Sequence, residues 1–275
     1  MRRMDIVTRR LFVAGLLVAN VSTYADVVGY WRFEEGIGDS TSDETGQYLG
    51  DLIGFYDYGP GVGDTEHAQG WSANVFAATV PQSGIANTGS IRMQGGGAYV
   101  DLSNGQDMNL GTSFTVEFYM NPEQPVVASS IFGFSPISEL YFFLGEDNSE
   151  LVFGTSFQGE IGDVVPATMI QTGQWQHVAL VKQPSEYSIY VDGSLQYSAP
   201  LSPALDGPYW FPGTGNAGDR VIGGESGTFR GYLDEFRISD TALTPDQFLV
   251  APEPSTISLL LVGVAGMLWG RKRRG

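Results

Sequence analysis

The feature that most constrains the fold of this chain is a regular alternation of apolar and polar residues in several short segments. Within residues 113–121, apolar side chains occupy every second position from Phe114 to Met120. Successive side chains of a β-strand point to opposite faces of the sheet, so this pattern predicts a strand with a buried face. Residues 175–182 carry apolar side chains on both faces and predict a strand that is buried on both sides.

Ten segments share this strand pattern. They are Val27–Phe33, Ser90–Met93, Ala98–Leu102, Ser113–Asn121, Leu140–Leu144, Glu150–Gly154, Trp175–Lys182, Tyr187–Val191, Arg220–Gly223 and Gly231–Ile238. Asp192-Gly193, directly after one of them, is a strong signal for a two-residue hairpin turn. Short strands, 37 glycines and almost no helical periodicity together predict an all-β sandwich of two sheets.

Two stretches depart from the strand pattern. Thr244, Pro245 and Gln247 have the spacing of a capping box with proline at the first helical position, which predicts a short helix that closes the domain. Residues 50–89 are rich in Gly, Pro, Asp and Ser and show little periodicity. We interpret them as a long irregular excursion over the surface.

The charge of the chain is unevenly distributed. The whole chain has a formal charge of −17, but between residues 26 and 250 six basic residues face 29 acidic ones, a net charge of −23. A surface this acidic repels phosphate, which argues against a nucleic-acid partner. Neutral sugars and divalent cations remain suitable ligands. The chain has no cysteine, so neither disulfides nor thiol chemistry contributes.

Residues 1–25 have the composition of a secretory signal peptide. Four arginines precede an apolar run at residues 11–19: Arg2, Arg3, Arg9 and Arg10. Thr23-Tyr24-Ala25 predicts cleavage before Asp26. The apolar run is short for a bilayer of about 30 Å, which argues against an uncleaved anchor. Arg9-Arg10 also fits a twin-arginine signal, so the export route stays open.

The C-terminal residues 250–275 carry a second signal. Pro252, Glu253 and Pro254 are followed by an apolar run of 13 residues, Ile257–Trp269, and then by Arg271, Lys272, Arg273 and Arg274. A helix of that length measures about 20 Å, short for a stable transmembrane span. This order resembles the PEP-CTERM sorting signal of Gram-negative bacteria. The resemblance implies transient anchoring in the inner membrane, processing by the protease-transpeptidase exosortase, and delivery to the cell envelope, outer surface or extracellular matrix. The alternative is a simple C-terminal anchor.

Six motifs follow one another in the middle of the chain. They are Gly29–Gly36, Ala98–Leu102, Phe114–Phe118, Trp175–Ala179, Ile189–Gly193 and Gly231–Ser239. Their order resembles that of laminin-G-like, concanavalin A-like jelly-roll domains. The resemblance implies a jelly-roll β-sandwich over residues 26–249. It also implies a lectin-like domain whose partner is an extracellular polysaccharide or a surface glycan.

Asp234 is the most distinctive carboxylate. If the alternation in its segment is regular, Asp234 shares a face with Tyr232, Phe236 and Ile238. A charged group on a buried face needs a partner, so Asp234 is either a ligand or acid, or a structural carboxylate bonded to backbone amides, His177 or an arginine. We favour the structural role, because buried charges normally persist by pairing.

An acidic cluster near the N-terminal end of the domain is a candidate calcium site. It consists of Glu34, Asp39 and Asp43, beside Glu44. Calcium takes several oxygen ligands from loops, and related sandwiches often bind it at a rim. Glu146-Asp147-Asn148 is a second candidate. A solvated acidic loop is the alternative for either cluster.

The sequence signals for sugar binding and for catalysis are weaker. Trp71, Tyr209 and Trp210 lie in loop-like sequence and are candidates for stacking on sugar rings; the alternative is that they pack over the sandwich. Glucanases of this fold carry Glu-x-Asp-x-Glu on one strand, which places the acids on one face. No such triple occurs here. We therefore predict a non-catalytic domain, with a glucanase-like hydrolase of the same fold as the alternative.

Overall fold

The structure is a computed structural model. It describes residues 27–54, 70–94, 98–102, 107–123, 129–134, 140–144, 150–154, 164–166, 170–201, 209–211, 220–223 and 229–250. The first nine strands in these ranges are β1 Val27–Trp31, β2 Ser40–Ser42, β3 Leu49–Ile53, β4 Trp71–Ser72, β5 Ser90–Gln94, β6 Tyr99–Asp101, β7 Met108–Gly111, β8 Phe114–Pro122 and β9 Ser129–Phe134. The remaining strands are β10 Leu140–Leu144, β11 Glu150–Gly154, β12 Val164–Pro166, β13 Gln176–Lys182, β14 Glu186–Val191, β15 Ser194–Pro200, β16 Tyr209–Phe211, β17 Arg220–Gly223 and β18 Arg230–Ser239.

Most of these strands belong to two sheets of eight. Sheet 1 has the order β15-β14-β13-β8-β18-β5-β4, and β1 pairs with the far end of β18. Sheet 2 has the order β12-β11-β10-β9-β17-β6-β3-β2. Strands β7 and β16 form a separate antiparallel pair. The predicted all-β sandwich is confirmed, and each of the ten predicted segments contains a strand.

The main core lies between the two sheets. The alternating side chains of β8 from Phe114 to Met120 are fully buried there, together with Val178 and Leu180 of β13. Each fully buried side chain of this size stabilises the fold by roughly 1.5–3 kcal/mol. Every residue of β13 is buried, as the apolar residues on both of its faces predict.

The outer face of sheet 1 is buried because two stretches of chain cover it. Residues 74–88, here called the cover segment, place Val80 in an apolar cluster with Tyr30 and Tyr119. Residues 242–250, here called the strap, pack Leu243 and Phe248 against β13. The central part of sheet 1 is therefore covered on both sides, whereas side chains near the end of β8 and on β15 stay partly exposed.

The strap contains the short helix that the sequence predicts. It is a single 3-10 turn at Pro245–Gln247. The backbone N–H of Thr244 donates to Oε1 of Gln247 at 2.9 Å, and the N–H of Gln247 donates to the carbonyl of Thr244 at 2.8 Å. The first bond is the Gln247 side-chain half of the predicted capping box, and the second closes the 3-10 turn.

The hairpin turn at Asp192-Gly193 is also confirmed. Val191 of β14 pairs with Ser194 of β15, and the two residues between them have φ of +50° and +75°. Both values lie in the left-handed region, where glycine and aspartate are the best tolerated residues.

Parts of the predicted surface excursion belong to the sandwich instead. Residues 50–89 include most of β3 and all of β4, and Trp71 and Val80 in this range are buried. Tyr209–Phe211, which the sequence places in a loop, forms β16 against β7. These strands are two to five residues long, too short for alternation to stand out, and pairing with distant strands determines them.

Residues 1–25 and 251–275, which carry the predicted export and sorting signals, lie outside the described residues. Within the described ranges, no helix combines the length and apolar character needed to cross a membrane.

Candidate functional site

Strand β18 contains a bulge that reorients its acidic residues. Glu235 has a φ of +50°, and the register with β8 shifts between Asp234 and Arg237. One inserted residue reverses the alternation of the side chains that follow. Phe236 and Ile238 therefore face the core, whereas Asp234 faces the cover segment. The prediction that Asp234 shares their face is wrong.

Asp234 is a fully buried carboxyl group with a hydrogen-bond partner in the cover segment. Its Oδ2 accepts a hydrogen bond from Nδ2 of Asn87 at 2.9 Å, while Oδ1 of Asp234 and Oδ1 of Asn87 are buried without a partner. Burial, reinforced by the charge of Glu235, raises the pKa of Asp234 to about 9, against the effect of the Asn87 hydrogen bond. At neutral pH the raised pKa favours the protonated carboxyl. Its partner is an asparagine of the cover segment, rather than His177 or an arginine.

Glu235, the next residue, binds an arginine and a tyrosine of the first strand region. Nε and Nη2 of Arg32 lie 3.0 Å from its Oε1, and the Tyr30 hydroxyl donates to its Oε2. Nη2 of Arg32 also donates to the carbonyl of Ala86 at 2.5 Å. Burial and the neighbouring Glu235 carboxylate raise the pKa of the Tyr30 hydroxyl, which therefore keeps its proton. These contacts hold the guanidinium between β18 and the cover segment.

An open cavity of about 550 Å³ lies beside this arginine, and we call it the cleft. It is lined by Val27, Tyr30, Arg32, Glu44, Thr45, Gln47 and Ile85. Its volume is within the range of roughly 300–1,000 Å³ that is typical of small-ligand pockets. The lining combines apolar side chains with several hydrogen-bonding groups, which is the usual composition of a ligand site.

The polar wall of the cleft is a loop organised by Asp43. Its Oδ2 accepts the N–H of Thr45 at 2.8 Å, and its Oδ1 accepts the N–H groups of Gln47 and Tyr48 at 2.9 and 2.7 Å. The N–H of Glu44 donates to the carbonyl of Tyr30 at 2.8 Å. The loop is therefore fixed against β1 before any ligand arrives.

This geometry does not fit the predicted calcium ion. Asp43 is buried, and backbone N–H groups occupy both of its oxygens. Glu34 accepts the N–H of Thr88 at 2.9 and 3.1 Å and pairs with Arg32, while Asp39 is exposed. Across the described ranges, no three acidic or histidine side chains are grouped as metal ligands. Glu146-Asp147-Asn148 lies outside the described residues.

A second buried network joins β8, β13 and β18 beneath the strap. Oε1 of Glu117 accepts Nε of Arg237 at 2.7 Å, and its Oε2 lies 2.8 Å from Nε2 of His177 and 2.9 Å from the N–H of Leu249. Burial alone would raise the pKa of Glu117, but Arg237 and His177 stabilise the carboxylate and hold its pKa below the ordinary value. Glu117 and His177 are fully buried, so this network fastens the strap and does not face a ligand.

Of the predicted sugar-stacking residues, Trp71 is not accessible to a sugar. Trp71 is 3% exposed, and its Nε1 donates to the carbonyl of Gly38 at 2.9 Å, so its ring faces cannot receive a sugar. Tyr209 and Trp210 lie in β16, and the structure does not describe their side chains. For Trp71 the alternative holds: it packs against the sandwich instead of standing exposed in a loop, because β4 pairs with β5 at the edge of sheet 1.

Of the residues that line the cleft, the sequence singled out only Glu44 as a candidate site residue, beside the acidic cluster. Tyr30 and Arg32 flank the buried Trp31, and this alternation alone indicates that they point away from the core. Nothing local links Arg32 to Glu235 or to Ala86, because those contacts span more than 50 residues. A cleft assembled from three distant segments leaves no motif in the chain.

Comparison with known proteins identifies the fold. The family model of the concanavalin A-like lectin/glucanases superfamily matches residues 94–248, which is more than half of the chain. No curated protein matches the sequence. Many solved structures are similar to it at low sequence identity, among them the following three.

The botulinum neurotoxin serotype D ligand binding domain, solved in complex with N-acetylneuraminic acid, has a TM-score of 0.54 and 11% identity over 86% of this chain and 51% of its own. The binding domain of Paraclostridial Mosquitocidal Protein 1 has a TM-score of 0.50 and 14% identity over 81% of this chain and 50% of its own. The Trypanosoma rangeli sialidase has a TM-score of 0.51 and 14% identity over 82% of this chain and 32% of its own.

The chain thus spans about half of each toxin domain and about a third of the sialidase. At these identities the likeness concerns the fold alone, because a fold can carry many functions. The family match, the two-sheet sandwich and the order of the motifs agree with one another. The chain belongs to the concanavalin A-like lectin/glucanase superfamily.

Proposed function

We propose that this protein binds a neutral glycan in a lectin-like, non-catalytic manner, and that the cleft is the binding site. The observation that carries the proposal is the composition of the cleft. Val27 and Ile85 supply apolar surface for the carbon skeleton of a sugar. Glu44, Thr45 and Gln47 supply hydrogen-bonding groups for its hydroxyls.

The charge of the site favours a neutral ligand. Arg32 is the one cation in the cleft lining, and Glu235 and Glu34 both pair with it. The exposed Glu44 adds a negative charge to the lining. A carboxylated sugar would be repelled by Glu44 and by the net charge of −23 on residues 26–250, because like charges placed together oppose binding.

The carboxylates near the cleft are poorly placed for hydrolysis. A glycosidase needs two carboxyl groups flanking the bond, at about 5 Å or at about 6.5–9.5 Å from each other. Glu235 is tied to Tyr30 and Arg32, and Glu34 is tied to Thr88. Glu44 is left as the single exposed acid of the cleft lining.

A glycan array probed with the full-length chain tests the proposal. We expect retention of one or more neutral glycans and no retention of sialylated ones. Ile85→Glu combined with Gln47→Ala should lower the affinity for a retained glycan at least tenfold, because a charge then replaces the apolar surface. Leu195→Glu is the matched control, because Leu195 is also an exposed apolar residue and lies on β15, away from the cleft. Equal losses in both variants would contradict a site in the cleft.

The flanking signals extend the proposal to the cell. We propose that residues 1–25 direct export and that residues 250–275 are processed by exosortase in a Gram-negative bacterium, so that the domain acts in the envelope, at the outer surface or in the extracellular matrix. Support comes from the order of Pro252-Glu253-Pro254, the apolar run and the basic end. The buried residues Phe248 and Leu249 also place the end of the folded domain directly before this signal.

Deleting residues 252–275 should leave the fold intact and change the location of the protein. We expect the shortened chain to be found in the soluble fraction instead of with the envelope or matrix. Cell fractionation of a strain with an exosortase, compared with a strain lacking it, measures the effect. An unchanged distribution in both strains would argue against the sorting role.

A further inference from the structure

A second group of partly exposed side chains lies on the outer face of sheet 1, at the end where β8 finishes and β18 begins. We call it the platform, and it consists of Phe76, Trp175 and Tyr232 with the polar residues Asn74, Arg92 and Glu123. The rings of Trp175 and Tyr232 are 6.0 Å apart and tilted by 48°, and Phe76 meets Trp175 edge-on at 6.3 Å. Aromatic faces with a polar edge are common in ligand sites, where they contact both apolar and polar groups.

The polar side chains of the platform surround its rings. Arg92 lies with its guanidinium 6.0 Å from the centre of the Tyr232 ring, and its Nε and Nη2 bind the two oxygens of Glu123 at 2.9 and 3.1 Å. Nε1 of Trp175 donates to Oδ1 of Asn74 at 3.3 Å. Ring faces beside a carboxylate and an amide match the two surfaces of a sugar, one formed by C–H groups and one by hydroxyls.

The platform and the cleft are joined by one apolar cluster. Val27 and Tyr30 of the cleft pack in the same cluster as Phe76 and Trp175 of the platform, with Tyr119 between them. Phe76 lies flat on Tyr119 at 3.5 Å. Phe236 pairs with Trp31 beside the cleft and lies four positions after Tyr232 along β18, a distance of roughly 10–13 Å across the bulge at Glu235. That separation is longer than a single sugar ring.

The chain segment between these two parts carries no charge. It is the cover segment, and residues 70–91 contain no Asp, Glu, Lys or Arg in a chain whose net charge is −17. Its exposed residues include Thr79 and Ser83, whose hydroxyls donate and accept hydrogen bonds. An uncharged strip of this kind suits a neutral polymer that lies across it.

We propose that the cleft and the platform are two ends of one binding track, and that the ligand is an extended neutral polysaccharide chain instead of a single terminal sugar. This inference rests on the proposed function of the cleft. Two linked contacts on one ligand raise the affinity well beyond that of either contact, because the second contact forms at a high effective concentration.

Binding as a function of ligand length tests the track. The probes are a neutral glucan, mannan, galactan and xylan, each with its own two-unit and eight-unit oligosaccharide, titrated against the full-length chain. For a polymer that binds, we expect the eight-unit form to bind at least tenfold more tightly than the two-unit form. Trp175→Ala should remove that advantage and leave the two-unit affinity unchanged. Glu123→Gln keeps the rings in place and should weaken the eight-unit form alone, and Tyr197→Ala on β15 is the aromatic control.

The outcomes separate the two proposals. Equal affinities for both lengths, or an eight-unit affinity that Trp175→Ala and Glu123→Gln leave unchanged, would overturn the track while binding in the cleft stands. If the glycan array retains no neutral glycan and none of the four polymers or their oligosaccharides binds the unaltered chain, the proposed function fails, and the track fails with it. A neutral glycan retained on the array without binding of any of the four polymers overturns the track alone.

Discussion

Asp234→Asn is expected to stabilise the protein by up to about 4 kcal/mol at pH 7, which is the free energy needed to hold one proton on a carboxyl of pKa about 9 when the unfolded chain releases it near pH 3.8. Asparagine has the same shape, carries no charge, and can still bond to Asn87. Urea unfolding at several pH values measures the change.

The pH dependence gives the sign of this effect. The folded pKa of Asp234 is raised, so its contribution to stability is fully present below about pH 3.8 and is lost as the pH rises towards 9. The unaltered protein should lose about 1.4 kcal/mol per pH unit through this range from this group, and the Asp234→Asn variant should not. Asp240→Asn, an exposed carboxylate just beyond β18, is the control and should change little. A destabilised Asp234→Asn variant would mean that the group is bound as a charged carboxylate.

Glu117→Ala is expected to be the most damaging single substitution in sheet 1, with a loss of about 3–5 kcal/mol, because it leaves the buried guanidinium of Arg237 without its counter-charge. It also removes the acceptor of the Leu249 N–H, so the strap should loosen. Urea unfolding measures the first effect. Hydrogen exchange at the Leu249 amide measures the second.

Replacing both members of the pair separates charge from packing. Glu117→Met with Arg237→Met removes both charges and keeps most of the volume, so it should be much less destabilising than Glu117→Ala. The lowered pKa of Glu117 means that its contribution is present above the unfolded pKa and is lost as the pH falls through the folded one. The acid side of the stability curve should therefore be flatter in the double variant. A double variant as unstable as Glu117→Ala would contradict the role of charge.

The sequence predicts the inner layer of the sandwich well. Strands β8 and β13 alternate regularly or are apolar on both faces, and the core between the sheets selects such patterns. The turn at Asp192-Gly193 is predictable for a local reason, since its backbone conformation favours these two residues. In both cases the determining interaction lies within a few residues or along one strand.

The contacts on the outer face of sheet 1 could not be predicted from the sequence, because they join residues that are far apart in the chain. The bulge at Glu235 changes which side chains of β18 face the core, and no residue of the segment marks it in advance. The buried partners Asn87 and Asp234 are 147 positions apart, and Glu117 and Arg237 are 120 positions apart. Trp71 illustrates the same limit, since a loop-like sequence becomes an edge strand through pairing with β5.

The strap also determines how mechanical load would enter the domain. Its last residue, Val250, lies 3.3 Å from the position that a Cβ on Gly193 would occupy, next to the β14–β15 turn. A pulling force on residues 251–275 would first strain the hydrogen bond from the Leu249 N–H to Glu117. It would then strain the hydrogen bond of 2.8 Å from Nη2 of Arg237 to the carbonyl of Gln247. Such a pull meets these contacts one after another, so the strap can peel away while the paired strands of sheet 1 stay together.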